Sequence, residues 1–193
     1  MKEFRQKLFT MRSYTPIPFL LVMIVLGHPT LLTIFSGVIV VACGEFMRFW
    51  GVAYAGSLTR VTGSVGAPEV IVAGPFAYVR NPLYVGNLLT YTGIGMMANA
   101  ASPWLVCAAF VWFVFQYSQI VSLEEEFLTA AFGVSYAEYA KNVPRFIPRV
   151  EPYKNAAQEH QKPNWIEAVK SERRTFQALA VVLAIVIVLW IRQ

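Results

Sequence analysis

Residues 83–123, LYVGNLLTYTGIGMMANAASPWLVCAAFVWFVFQYSQIVSL, decide the fold that we expect for this chain. They contain two apolar runs, 83–100 and 104–123, joined by the short segment NAASP. At 1.5 Å per helical residue, each run is long enough to cross the roughly 30 Å hydrocarbon core of a bilayer. Because almost no loop separates the runs, they are predicted to form a helical hairpin within a membrane.

Three more apolar runs extend this pattern along the chain. Residues 30–50 and 175–191 are long enough to span a bilayer, whereas 17–27 is shorter and is either a full span or a half-span. The chain is 56% hydrophobic and 14% charged, whereas soluble domains carry about 25% charged residues. The sequence therefore predicts an all-α polytopic membrane helix bundle, a single domain over 1–193 with about five transmembrane helices.

The charged residues predict the orientation of this bundle. Of 16 lysine and arginine residues, all except Arg192 fall in segments that five spans would place on one side. The positive-inside rule makes that side cytoplasmic, with the N-terminus inside and the C-terminus outside. All 11 acidic residues are glutamates and lie on the same side. We expect an integral protein of a bacterial inner membrane, or of an equivalent membrane, with its polar chemistry at the cytoplasmic face.

Three polar segments are expected at that face. Residues 51–81 are rich in glycine and proline and predict a turn-rich loop. Residues 122–152 predict two short helices, because S-x-x-E capping boxes begin at Ser122 and Ser135 and a glycine lies between them. Residues 164–174 predict a helix on the membrane surface that precedes the last span.

Polar residues inside the spans form two stripes. Tyr84, Asn87 and Tyr91 share one helical face, and Gln116 and Gln119 form a second stripe in the following span. Such residues point into a bundle, where they either join helices by hydrogen bonds or belong to a functional site. Both stripes open toward the predicted cytoplasmic face, which favours the functional interpretation.

The run 30–50 carries two further features. Glu45 and Arg48 are predicted to form a local ion pair, to which we assign no chemistry. Gly37 and Gly44 allow another helix to approach closely, within the chain or between chains.

Cysteine and histidine positions do not suggest a metal site. Cys43 and Cys107 lie in apolar runs and are interpreted as packing residues, and no zinc-like spacing relates them to His28 or His160. A metal enzyme is not expected.

Two blocks of sequence carry a family resemblance. GPFAYVRNPLYVGN at 74–87 resembles the G-P-[YF]-x-Y-x-R-[HN]-P-x-Y-x-G signature of the isoprenylcysteine carboxyl methyltransferase and phospholipid methyltransferase superfamily. EEEFLTAAFGVSYAEYAKNVPRFIP at 124–148 is similar to the second block of that superfamily. The blocks occur in the family order, separated by a helical hairpin, and the resemblance covers roughly 70–148.

The resemblance implies an integral membrane enzyme that uses S-adenosylmethionine (SAM) and whose lipid-linked substrate arrives sideways from the bilayer. By matching positions, it implies a cofactor pocket formed by Tyr78, Val79, Asn81, Pro82, Tyr84, Gly86 and Glu124. It implies catalytic roles for Arg80, Glu125 and Arg145. Asn81 stands where many members have histidine, and an asparagine cannot serve as a proton-carrying base.

The chemistry of the acceptor remains open between two possibilities. A carboxylate is already ionised at neutral pH and needs only an arginine, Arg80 or Arg145, to orient it. An amine must lose a proton, for which Glu125 is the candidate base. Carboxyl O-methylation of an isoprenylcysteine-like acceptor is our first hypothesis, and N-methylation of an aminophospholipid or related amine is the alternative.

A function of another class also remains open, that of a non-catalytic membrane binding protein with this fold. In that case Arg80 would anchor the chain to lipid phosphates, Glu125 would serve only in the capping box, and Arg145 would touch headgroups. The expected partners are a lipophilic or lipidated substrate and membrane lipids, with no nucleic acid. The sequence leaves the oligomeric state open.

Overall fold

The structure, a computed structural model, describes residues 2–56 and 69–193. In these residues the fold is all-α, as predicted, and no strand occurs among them. Two short 3₁₀ helices, Gly74–Ala77 and Ala156–Glu159, accompany the α-helices. The α-helices are α1 Lys2–Met11, α2 Ile17–Leu26, α3 Leu31–Ala55, α4 Pro82–Ala98, α5 Trp104–Asn142 and α6 Trp165–Ile191.

Three of these helices are long and apolar enough to cross a membrane, namely α3, α5 and α6. The protein is therefore an integral membrane protein with a helix-bundle fold. Helix α4 has 17 residues and α2 has 10, which correspond to about 25 Å and about 15 Å of helix. Three of the five predicted spans, α3, α5 and α6, are thus supported by length and composition. That α2 and α4 also cross the membrane stays a prediction.

The packing of α3 against α4 is the most extensive helix contact in the bundle, and it depends on glycines. A Cβ atom built on Gly37 would lie 2.5 Å from the carbonyl oxygen of Gly93. Two turns further along α3, the carbonyl oxygen of Gly44 would lie 2.7 Å from a Cβ atom built on Gly86 of α4. The close approach expected at Gly37 and Gly44 is confirmed, and the partner helix belongs to the same chain.

Helix α5 differs from the prediction for 122–152. The Ser122 hydroxyl donates a hydrogen bond to Ser118 O at 2.8 Å, so it does not cap a helix, and α5 runs through this position. The predicted interruption at the glycine between the two capping boxes is present, since φ at Gly133 is 52° and the helix kinks there. Thirty-nine residues make about 58 Å of helix, nearly twice the hydrocarbon thickness. The glutamates at 124–126 mark the point where α5 leaves the apolar run 104–123.

Helix α6 also differs from the prediction. No break separates 164–174 from the last apolar run, so the predicted surface helix is the first part of α6. Asn164 caps this helix by accepting a hydrogen bond from Glu167 N at 3.0 Å. Asn164 N donates to Ala53 O at 2.7 Å, and Trp165 stacks on Phe49, so α6 begins against the end of α3.

The sequence predicted a turn-rich loop over 51–81, and residues 57–68 of this segment lie outside the described residues. Of the remainder, 51–55 continues α3 as helix rather than loop, because its side chains pack against α6. Residues 69–81 contain one 3₁₀ helix and otherwise no regular element, consistent with the predicted turns.

We expect Gly37→Ala to destabilise the protein by about 1–3 kcal/mol, because the added methyl group meets backbone atoms of α4 that cannot move aside. Thermal unfolding in detergent would measure this loss. Ala42→Val is the control, since it adds carbon atoms on the exposed face of the same helix. Equal unfolding temperatures for Gly37→Ala and the wild type would contradict the glycine packing.

Candidate active site

All six α-helices contribute to one large cavity of about 970 Å³. This volume lies near the upper end of the range for ligand pockets, roughly 300–1,000 Å³. One end is polar and lies where α4 begins, and the other end is apolar and lies deeper between the helices. We call these the polar end, lined by Arg80, Asn81, Tyr84, Glu124, Glu125, Tyr136 and Tyr139, and the apolar end, lined by Phe19, Leu20, Met23, Ile94, Phe113, Leu179 and Val182.

The two sequence blocks meet at the polar end through backbone hydrogen bonds. Arg80 N donates to Pro144 O at 2.9 Å, and Arg149 N donates to Tyr78 O at 3.0 Å. Tyr153 N donates to Ala77 O at 2.8 Å and extends the same pairing. The segment before α4 and the segment after α5 are therefore held side by side, although about 65 residues of sequence separate them.

Side-chain charges reinforce this pairing. Arg80 Nε donates to Glu125 Oε1 at 3.0 Å, and Arg80 Nη2 lies 2.9 Å from the same oxygen. The other oxygen, Glu125 Oε2, accepts a hydrogen bond from Arg145 Nη2. The side chains of Arg80 and Glu125 are 13% and 14% exposed, so this ion pair is largely shielded from solvent. Glu125 thus joins the two arginines, and the three residues predicted as catalytic are in direct contact.

Arg80 is also bound to the backbone at the end of α5. Its Nη1 donates to Ala140 O and, at 2.8 Å, to Val143 O. These carbonyls belong to the last turn of α5 and to the residue that follows it, where carbonyl groups lack helical partners and attract cations. Every guanidinium nitrogen of Arg80 therefore has a protein partner in this structure, and Arg80 holds the segment before α4 against the end of α5. We call Arg80, Glu125 and Arg145 together the clamp.

Asn81, Tyr84 and Glu124, which the sequence analysis assigned to a cofactor pocket, line the cavity. Asn81 Nδ2 donates to Arg145 O at 3.0 Å and so adds to the pairing of the two blocks. The Tyr84 hydroxyl donates to Glu124 Oε1 at 2.7 Å. Pro82, the first residue of α4, lines the cavity beside them.

Four predicted site residues do not line the cavity. Arg145 reaches it only through Glu125, and Val79 is fully buried. Tyr78 packs against Trp50, with ring centroids 6.0 Å apart. Gly86 was expected to let the cofactor approach, but it faces α3, and the close approach that it permits is the helix contact described above.

Two tyrosines of the second block were not selected from the sequence. Tyr136 and Tyr139 follow the kink at Gly133, beyond the membrane-spanning part of α5, and both line the polar end. The Tyr139 hydroxyl donates to Phe76 O at 2.8 Å. Burial raises the pKa of both hydroxyls, so both remain protonated at neutral pH. The Y-x-x-Y spacing within the second block was a signal that could have identified them.

A second charged group lies between the polar and apolar ends. Arg48 Nη2 donates to Glu172 of α6 at 2.9 Å, and Arg48 Nη1 donates to Asn87 Oδ1. The predicted ion pair with Glu45 is present, with Arg48 Nε 3.7 Å from Glu45 Oε1. Glu45 Oε1 also accepts a hydrogen bond from Thr90. We assigned this pair no chemistry from the sequence, yet Glu45, Arg48 and Glu172 all line the cavity.

The two polar stripes have different surroundings. Tyr84, Asn87 and Tyr91 all line the cavity. Gln116 instead accepts a hydrogen bond from Thr15 at 2.9 Å, and Gln119 accepts one from Arg5 at 3.2 Å. The glutamine stripe therefore joins α5 to the N-terminal segment by hydrogen bonds. This is the first of the two interpretations given above, in which polar residues join helices.

The cavity extends to residues of α2 and α6 that are not buried. Ile17 of α2 and Ala178 of α6 both line the cavity, and both are exposed, Ile17 by 46%. Both positions belong to apolar helices.

A family model describes the part of the chain that builds most of this site. The model for phospholipid methyltransferases matches residues 32–135, just over half of the 193-residue chain. The chain belongs to the phospholipid methyltransferase family. The matched region covers α3, α4 and most of α5, whereas α1, α2 and α6 lie outside it.

The chain is also similar to several curated proteins. The chain is 31% identical to cobalt-zinc-cadmium resistance protein CzcN of Cupriavidus metallidurans over 72% of the chain and 62% of that protein. It is 32% identical to protein-S-isoprenylcysteine O-methyltransferase of Schizosaccharomyces pombe over 55% of the chain and 46% of that protein. It is 30% identical to protein-S-isoprenylcysteine O-methyltransferase A of Arabidopsis thaliana over 59% of the chain and 58% of that protein.

The chain thus spans about half to three fifths of the length of these relatives. No solved structure gives a significant match to it.

We expect Glu125→Gln to destabilise the protein by about 3 kcal/mol, because two arginines lose a largely buried partner at once. Thermal unfolding would measure the loss. Glu126→Gln is the matched control, since Glu126 is the next residue, its side chain is 55% exposed, and it pairs with Arg5. If the two variants unfold at the same temperature, the clamp is not what joins the blocks.

Proposed function

We propose that this protein is a SAM-dependent methyltransferase that acts on a lipophilic acceptor in the membrane, with carboxyl O-methylation of an isoprenylcysteine-like acceptor as the first candidate. The observation that carries the proposal is the cavity itself. A charged end built by the two family blocks continues into an apolar end that reaches exposed residues of α2 and α6, where we infer an opening at the side of the bundle. That arrangement suits one polar, water-soluble reactant and one reactant drawn from lipid.

The residues of the polar end fit SAM by their chemistry. Glu124 and the faces of Tyr136 and Tyr139 suit cationic groups, and Asn81 offers an amide to a carboxylate. When bound, SAM supplies an activated methyl group. The clamp of Arg80, Glu125 and Arg145 would hold the segment after α5 against this end, so these residues would act by positioning rather than by contact with the reacting atoms.

A carboxylate acceptor agrees better with Glu125 than an amine does. In transfer to a carboxylate oxygen, the methyl carbon–sulfur bond breaks, a carbon–oxygen bond forms, and no proton has to leave. N-methylation of an ammonium group requires a base, and both oxygens of Glu125 are already bound by arginines. The names of the yeast and plant relatives, protein-S-isoprenylcysteine O-methyltransferases, support the same choice.

The position of the cavity also supports the expected orientation. Arg80, Arg145 and the N-terminal helix α1 lie at the polar end, where Arg5 reaches Gln119 and Glu126 of α5. We propose that this end faces the cytoplasm, as the positive-inside rule predicts, because SAM is soluble.

The function is tested by reconstituting the purified protein in lipid nanodiscs with methyl-labelled SAM, a prenylated cysteine and phosphatidylethanolamine. We expect label in the prenylated cysteine, released as methanol by mild base because the product is a methyl ester. Label in phosphatidylethanolamine that resists base would replace the first candidate with N-methylation. A folded protein that binds neither SAM nor its demethylated product would be a membrane protein of this family without the activity.

We expect Ala178→Trp to lower kcat/KM for a prenylated acceptor about tenfold or more, because a bulky ring would fill the opening between α2 and α6. Affinity for S-adenosylhomocysteine, measured by calorimetry, should stay unchanged.

Ala180→Trp is the control, since Ala180 lies on the same helix but does not line the cavity. Equal effects of the two substitutions on kcat/KM would argue against lateral access at this opening.

A further inference from the structure

The apolar end of the cavity stops against close-packed side chains. The lining residues farthest from the polar end along α2, α4 and α5 are Met23, Ile94 and Ala109, and each is at most 6% exposed. Met23 and Ile94 belong to a buried cluster that also contains Met97 and Val186. Among the described residues, Met97 and Val186 do not line the cavity, so they fill the space behind its apolar end.

Hydrogen bonds hold the helices together beyond this cluster. His28 N, in the turn between α2 and α3, donates to Ala98 O at the end of α4 at 3.0 Å. Asn99 Nδ2 donates to His28 O at 3.0 Å. A Cβ atom built on Gly27 would lie 3.0 Å from the side chain of Leu189 of α6. The ends of α2, α4 and α6 therefore meet behind the cavity, on the side opposite to the polar end.

The opening inferred between α2 and α6 lies nearer to the polar end than this closed end does. On α2, Ile17 precedes Met23 by about 9 Å of helix, and on α6, Ala178 precedes Val182 by about 6 Å. Both helices run away from the polar end toward the turn at His28. An apolar chain that enters through the opening can thus continue into the closed end.

The distance between the two ends of the cavity defines a chain length. Tyr84 at the polar end and Ile94 at the apolar end are separated by about 15 Å of α4. An extended carbon chain advances roughly 1.2 Å per bond, a third of the rise per residue of an extended backbone, so about 12 bonds cover this distance. A farnesyl group on sulfur has about that length, whereas a geranyl group is about 5 Å shorter and a geranylgeranyl group about 5 Å longer.

The wall of the apolar end is aromatic and tightly packed. The ring centroid of Phe113 lies 5.4 Å from that of Phe19 and 4.6 Å from that of Tyr91. Phe113 is 2% exposed. Because side chains packed this closely resist displacement, we expect the end to keep its length when a longer chain is offered.

We propose that the apolar end holds the whole chain of the acceptor and selects chains of about the farnesyl length, with Ile94 and Ala109 as the residues that set the limit. The inference rests on the proposed function and narrows its substrate class. A shorter chain leaves part of the end unfilled and loses apolar contact, and a longer chain meets the buried cluster behind Ile94.

The test compares three acceptors that differ only in chain length, the N-acetylated S-geranyl, S-farnesyl and S-geranylgeranyl cysteines, with methyl-labelled SAM and the protein in nanodiscs. We expect kcat/KM for the farnesyl compound to be at least about tenfold higher than for the other two, since a few methylene groups in an apolar pocket are worth this factor. Longer chains enter lipid more readily, so partitioning does not explain a low value for the geranylgeranyl compound.

Two substitutions change the length of the closed end in opposite directions. Ile94→Ala should raise kcat/KM for the geranylgeranyl compound relative to the farnesyl compound about tenfold or more, because it removes side-chain atoms at the end. Ala109→Leu should raise the geranyl compound relative to the farnesyl compound by a similar factor, because it fills part of the end. These changes in ratio do not depend on how each compound partitions into lipid.

Ile39→Ala is the matched control. Ile39 lies on α3 and is 50% exposed, so its truncation removes the same atoms as Ile94→Ala but from the outer surface. Both ratios should stay as in the wild type.

Two results would overturn the inference. One is a kcat/KM for the geranylgeranyl compound that equals or exceeds that for the farnesyl compound in the wild type, since the chain would then leave through the opening. The other is an unchanged ratio in both Ile94→Ala and Ala109→Leu. Unfolding temperatures identify a variant that has lost its fold, and the wild type and the other variant then decide. If none of the three compounds is methylated, the proposed function fails, and their binding to the protein saturated with S-adenosylhomocysteine decides this inference by the same order.

Discussion

The sharing of Glu125 between Arg80 and Arg145 is the interaction on which the polar end of this protein depends. The two arginines belong to segments far apart in sequence, one before α4 and one after α5. A carboxylate with two oxygens can accept from two guanidinium groups at once, and partial shielding from water strengthens both contacts. Glu125 lies just beyond the apolar run of α5, so these ion pairs hold the segment before α4 beside this part of the helix.

Ion pairs of this kind also explain how charged side chains can lie close to or within the apolar part of the bundle. A buried charge is costly, and each one near the cavity lies beside an opposite charge or a hydrogen-bonding group. Arg48 illustrates this, since it joins α3 to Glu172 of α6 and to Asn87 of α4. Helix α6 lies outside the region that the family model matches, yet it supplies one of the charges that line the cavity.

Sequence reasoning succeeded where the signal was local. The apolar runs predicted a membrane helix bundle, Gly37 and Gly44 predicted a close helix contact, and the two blocks indicated the family. It failed where one local pattern is compatible with either a helix end or a continuous helix. Ser122 looks like a helix cap, but α5 passes through it because a serine hydroxyl can equally well bind the carbonyl four residues earlier. The surface helix predicted at 164–174 is likewise continuous with the last apolar run.

The sequence by itself determined the class of the protein, because hydrophobic length and local motifs depend on the order of residues alone. It also identified the polar stripe of Tyr84, Asn87 and Tyr91 inside an apolar run, whereas it assigned Glu45 and Arg48 no chemistry. Only the tertiary structure decided which of them share a cavity, since that depends on the distances between helices that are remote in sequence. Gly86 was therefore assigned to a cofactor but packs against α3, while Glu172, unremarkable in sequence, became the partner of Arg48.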